Sequence, residues 1–145
     1  MSNLGNFLRG VAAAVVGAFV GGLVNMGLVV AGAKLLPPPA GVDVNDVASI
    51  DAHIGEYSLA QLLSPFFAHA LGTLVGAFVA SLIAASLRAR LRAALVVGLL
   101  FQVGGIIAVT MIPSAPLWFD ALDLVVAYVP MALLGHWLAM RVRRA

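Results

Sequence analysis

The chain is a succession of long apolar runs separated by short polar clusters. Residues 11–33, 66–87, 93–112 and 124–140 contain no Asp, Glu, Lys or Arg. Each run approaches or exceeds the roughly 17–25 residues that a helix needs to cross a hydrocarbon core of about 30 Å. None alternates polar and apolar residues over about ten positions as barrel strands do, so helices are the spanning structure that fits. The pattern predicts an all-α polytopic membrane protein. Its four transmembrane helices are expected as a bundle over about residues 10–33, 65–87, 93–112 and 117–140, with a loop at 34–64 and a turn at 88–92.

Composition agrees with the pattern. At 63% hydrophobic and 10% charged residues, the chain departs far from the soluble range of about 45–50% and about 25%. The charges then set an orientation. If the helices alternate, Arg9, the group Arg88, Arg90 and Arg92, and the tail Arg141, Arg143 and Arg144 share one side, and Lys34 stands opposite with all six acidic residues. The positive-inside rule places both termini in the cytoplasm and the acidic 34–64 loop in the periplasm. The arginines read as topology determinants in contact with lipid head groups, so no nucleic-acid partner is expected despite a pI of 9.7. The absence of cysteine excludes disulfide exchange, thiolate metal sites and iron–sulfur clusters. No cofactor or metal is expected. The preference for Arg over Lys points to a GC-rich bacterium and hence to a bacterial inner membrane. "AGAK" at residues 31–34 has the small-x-small shape of a signal cleavage site, but its 23-residue apolar run exceeds the about 7–15 residues of a signal sequence, so a retained first span is expected.

The connections carry their own signals. "LLPPPAG" is a stiff exit from the first span, and the acidic stretch after it suits a short surface helix capped by Asp43. Ser58 and Gln61 form an S-x-x-Q capping box, and Ser64–Pro65 is a second start signal six residues on. The pair predicts a brief interfacial helix turning into the second span. "PSAP" at residues 113–116 reads as a tight turn. Trp118 and Trp137 lie 19 residues apart, about 28 Å along a helix, which brackets the fourth span with one indole at each interface.

Lipid tails are as apolar as leucine, so close backbone approach must hold such helices together. Gly72, Gly76 and Ala80 form a small-x-x-x-small ladder in the second span, with Gly17, Gly21 and Gly22 in the first and Gly98 and Gly105 in the third. At 100° per residue, Asn25 shares the small face of its helix, His69 that of the second span and Gln102 that of the third. Counted at about 1.5 Å per residue, Asn25 lies roughly 12 Å from the outer end, His69 about 6 Å below Pro65 and Asp123 about 7–8 Å below Trp118. This gives a candidate polar cluster in the outer half of the bundle. His69 is paired with Asp123, Asn25 and Thr110 stand close by, and Gln102 and Tyr128 sit deeper. Two readings of the cluster stand open. His69, Asn25 and Gln102 serve as hydrogen-bonding links between helices, or they bind and move a solute or proton. Asp120 and Asp123 also fit the first turns of a helix, where negative charge suits the dipole. Tyr128 and Pro130 predict a kink. Ser64 reads as a helix cap without a nucleophile-elbow context, so an intramembrane hydrolase is not expected.

Together, "NMG", "FAHALGTLVGAFVA", "GGI" and "PSAPLWFDALDLVVAYVPMALLG" resemble small four-helix bacterial inner-membrane proteins usually labelled uncharacterised. The resemblance covers nearly the whole chain and implies the fold without an activity. Small multidrug exporters carry a glutamate in their first helix that is missing here. Fluoride channels carry an arginine after the first glycine run and a phenylalanine–threonine–serine stretch, both missing. Two functions are therefore expected in turn. The first is a non-enzymatic helix bundle acting as a homo-oligomer or as an accessory subunit beside other membrane proteins. The alternative is a small-solute or proton-coupled transporter or channel using the outer polar cluster.

Overall fold

The computed structural model describes residues 3–144. Among them the order is α1 (Asn3–Leu35), α2 (Val47–His53), a single 3-10 turn, α3 (Leu59–Ile83), α4 (Leu87–Met111), α5 (Leu117–Val126) and α6 (Val129–Val142), with no strand. Four stretches are long and apolar enough to cross a membrane: α1, α3, α4 and the α5–α6 pair.

Several boundaries differ from the sequence expectation, each for a local reason. The capping box at Ser58 forms, with the Ser58 N–H donating to Gln61 Oε1 at 2.7 Å. That box alone starts α3; Ser64–Pro65 starts nothing, and Pro65 lies inside the helix, where its ring removes one backbone bond without ending the chain's winding. The short surface helix α2 is capped by Asp46, not Asp43. Asp43 instead folds a local turn by accepting from the Asn45 N–H at 2.9 Å. The turn expected at 88–92 falls earlier, because Ser86 caps α4 and draws all three of those arginines into the helix. The fourth span is two helices, α5 and α6, broken at the place where Tyr128 and Pro130 predict a kink.

The early turn gives the arginines a structural task. α3 ends in carbonyls with no helical partner. Arg9 donates to Ile83 O at 2.7 Å, Arg143 to Leu82 O at 2.7 Å, and Arg90 to Ala84 O and Ala85 O at 3.1 and 3.3 Å. Guanidinium groups from α1, α4 and the end of α6 thus converge on the negative end of one helix dipole.

α3 is the most enclosed span and packs against α1, α4, α5 and α6. Its seam with α1 is made of backbone. A Cβ placed on Gly17 would stand 2.5 Å from the Gly76 carbonyl and 2.7 Å from Ala80 Cβ, and one on Gly72 would stand 2.7 Å from Asn25 Cβ and 2.9 Å from the Gly21 carbonyl. Gly98 likewise admits Ala132, and Gly135 of α6 lies against the Leu74 carbonyl. The interior is correspondingly fine-grained: its buried clusters are mostly alanine, and the largest fully buried side chains are Val97, Thr73 and Ser81. Phe7, Val15, Phe19, Leu23 and Met26 of α1 are exposed, as befits a lipid-facing stripe. The small ladder is engaged within the chain, and the outward face of α1 carries large apolar residues.

Candidate functional site

At the loop end of the bundle three helical segments bring together an imidazole, a carboxylate and a phenol. His69 Nδ1 stands 2.8 Å from Asp123 Oδ1, and the Tyr128 hydroxyl donates to Asp123 Oδ2 at 2.6 Å while lying 3.1 Å from the same His69 nitrogen. An ionised carboxylate only accepts, so this network assigns the imidazole proton to Nδ1. The opposite nitrogen, Nε2, has no protein partner among the described residues. Asp123 and Tyr128 are buried; His69 is partly open, and its ring stacks on Tyr128 at 5.8 Å between centroids.

Each member is held by its surroundings. Thr73, one turn on from His69, donates to the His69 carbonyl at 2.8 Å. Gly105 has no Cβ to obstruct the Tyr128 ring, whose Cε2 and Cζ lie 2.6 Å from where that atom would be. Tyr128 stands at the break between α5 and α6 with φ −114° and ψ −85°. The break leaves the Leu124 carbonyl available, and Gln102 Nε2 donates to it at 3.0 Å.

Two cavities meet at this triad. One, of about 340 Å³, opens under the loop and is lined by Val29, Ile54, Ile112 and Phe119, with Asp120, Asp123 and His69 among its polar groups. The other, of about 300 Å³, lies between α1 and α4 and is lined by Gly22, Asn25, Phe101, Gly104 and Tyr128, again with His69. His69, Gly105 and Ala108 line both. The Oδ1 of Asn25 is buried without a hydrogen-bond partner, while its Cβ packs on Gly72. Burial pushes the Tyr57 hydroxyl, on the loop-side wall, above the usual phenol range, so it stays a neutral donor.

No family model, curated protein or solved structure matches the chain. The geometry of its own residues is therefore what bears on function. Of the six polar candidates, His69, Asp123 and Tyr128 form the triad, Asn25 faces the cavity His69 also lines, and Gln102 braces the break. Thr110 is a correction. It is exposed, donates to Ile107 O at 2.7 Å within its own helix and lines neither cavity. Gly22 is a second correction, since nothing lies within 4 Å of a Cβ placed there. It packs against no helix and forms cavity wall instead, as does Gly104. Sequence reasoning missed the pair formed by Ser81 Oγ and His136 Nδ1, 3.1 Å apart at the arginine end. A buried serine in an alanine-rich helix gives no signal until its partner is known.

No group of three or more His, Cys, Asp or Glu side chains suited to a metal ion occurs among the described residues.

Proposed function

We propose that this protein is a proton-coupled transporter of a small solute in a bacterial inner membrane, with both termini cytoplasmic. The observation that carries the reading is the position of His69: a titratable side chain, tied through Nδ1 to Asp123, at the junction of two cavities. Histidine is the side chain that ordinarily changes charge near neutral pH. With its imidazole protonated, the His69–Asp123 pair is neutral overall. With the imidazole neutral, Asp123 is left as a net negative charge in a low-dielectric site, which costs several kcal/mol unless another cation arrives. Proton departure and cation arrival are thereby linked. Asp123 and Tyr128 hold the ring by its Nδ1, so that exchange takes place at Nε2, which has no protein partner among the described residues.

The orientation is supported by the convergence of Arg9, Arg90 and Arg143 on one end of α3 and by the positive-inside rule. Action through association with copies or other subunits has less behind it, because Gly17, Gly21, Gly72 and Gly76 find their partners inside the chain.

The test is a flux assay in proteoliposomes with an imposed pH gradient. His69→Ala and Asp123→Asn, checked for correct folding, are expected to reduce proton-coupled flux to the level of empty liposomes. Flux unchanged by both substitutions would remove the triad from transport.

A further inference from the structure

We propose that the loop-side cavity binds an organic ammonium ion, a protonated amine on a small apolar body; the inference rests on the transporter reading for its coupling but on the cavity alone for its chemistry. The walls supply the apolar part: Val29 of α1, Leu36 just past its end, Ile54 beyond α2, Ile112 at the end of α4, and Phe119 of α5. At about 340 Å³ the space stands at the lower end of ligand sites, roughly 300–1,000 Å³.

Charge decides the class. Asp120 and Asp123 lie three residues apart on α5, on one face of the helix, and both line the cavity. Asp123 is occupied by His69 and Tyr128, whereas Asp120 makes no side-chain hydrogen bond or ion pair among the described residues. No Lys or Arg lines either cavity. An anionic solute would meet two carboxylates, and a protonated His69 in the lining is already paired with Asp123, so phosphates and carboxylic acids are disfavoured by repulsion and desolvation. A neutral solute would leave Asp120 unpaired against an apolar wall.

The hydrogen-bonding groups ask for donors too. His69, which lines the cavity, presents a lone pair at Nε2 when its proton is on Nδ1. An ammonium group donates to acceptors and neutralises carboxylates at once. The titratable groups around His69 are Asp120 and Asp123 from α5, Tyr128 from the break and Tyr57 from the loop; α1 and α4 contribute only the neutral Asn25 and Gln102 nearby. Ammonium ion and proton therefore compete for one negative site, which makes exchange of one for the other the direction of coupling.

The experiment uses the full chain in lipid nanodiscs with three probes of similar size: 2-phenylethylamine, 3-phenylpropionate and 3-phenylpropan-1-ol. Empty nanodiscs correct for partition into lipid. The amine is expected to bind saturably and to raise the unfolding temperature, roughly tenfold or more tightly than the acid or the alcohol, and Asp120→Asn is expected to weaken it by roughly tenfold. Equal binding of all three probes to the unmodified protein overturns the assignment without reliance on any variant, and so does an amine affinity untouched by Asp120→Asn. Amine binding without uptake into proteoliposomes sinks the transporter reading and leaves the ligand class standing. Proton-driven flux with no amine binding does the reverse.

Discussion

Replacing Gly72 or Gly17 by Ala adds one methyl group at the α1–α3 seam, and the structure sets how far the helices must move. The new Cβ at position 72 would lie 2.7 Å from Asn25 Cβ, whereas ordinary contact begins near 3.4 Å, so the helices must separate by about 0.7 Å. At position 17 the contact is with the Gly76 carbonyl at 2.5 Å, and the displacement is about 0.9 Å. Backbone cannot rotate aside as a side chain can. A gap of 0.5–1 Å forfeits about a quarter to a half of the dispersion attraction at each affected atom pair, and in lipid no hydrophobic term replaces it. We expect a loss of about 1–3 kcal/mol, the usual range for overpacking. The controls are Gly22→Ala and Gly104→Ala, where nothing lies within 4 Å of the added atom. All four changes share the same gain in helix propensity, up to about 1 kcal/mol, so the difference between the sets isolates packing. Unfolding in mixed micelles of rising SDS fraction, followed by Trp118 and Trp137 fluorescence, reads it directly. If Gly17→Ala and Gly72→Ala unfolded at the same SDS fraction as the two controls, backbone contact would not be what holds α1 to α3.

Two further outcomes use the same titration. Tyr128→Phe strips a buried carboxylate of one hydrogen bond of 2.6 Å and should cost about 1.5–3 kcal/mol, against about 1 kcal/mol for Gln102→Leu, which removes a bond to the neutral Leu124 carbonyl; equal losses would mean that the bond to Asp123 is no stronger than one to a neutral carbonyl. Arg90→Ala removes both bonds to the end of α3 and should cost about 1 kcal/mol more than Arg88→Ala, since Arg88 is exposed and makes neither bond.

What could be read from the sequence follows the range of the forces involved. The four spans were legible because burial in lipid acts on every residue of a run, and the Ser58–Gln61 cap because it is a local bond. The inward direction of His69, Asn25 and Gln102 was legible because each shares a helical face with glycines. The facing of glycines was only half legible: Gly21 and Gly22 are neighbours, yet a Cβ on Gly21 would stand 2.6 Å from the Gly72 carbonyl and one on Gly22 would have nothing within 4 Å. One hundred degrees of rotation separates contact from cavity, and a single helix does not say which of its two small faces a partner takes. Thr110 was misplaced for a related reason, since depth along a helix was estimated but its rotation was not.

The His69–Asp123 pair was legible from depth and facing, but the place of Tyr128 in it was not, because that depends on the helix break. On a continuous α-helix, residues 123 and 128 would stand about 140° apart, and a phenol on one side would not reach a carboxylate on the other. Pro130, at the start of α6, has no N–H to give, and the backbone ladder lapses just before it, at Ala127 and Tyr128. The lapse turns Tyr128 so that its hydroxyl reaches Asp123 and His69, and it frees the Leu124 carbonyl for Gln102. Gly105 then leaves room for the ring. Pro130, Tyr128, Gln102 and Gly105, which look like four separate features along the chain, are parts of one arrangement. The irregular backbone is tolerated in a membrane span because it is enclosed by α3 and α4 and its freed carbonyl is satisfied there. A break that served only to shape the bundle would have no need of an ionisable partner. This one places a carboxylate, a phenol and an imidazole in mutual contact beside open space, and that pairing of a backbone break with ionisable groups is the strongest reason to look for chemistry at His69.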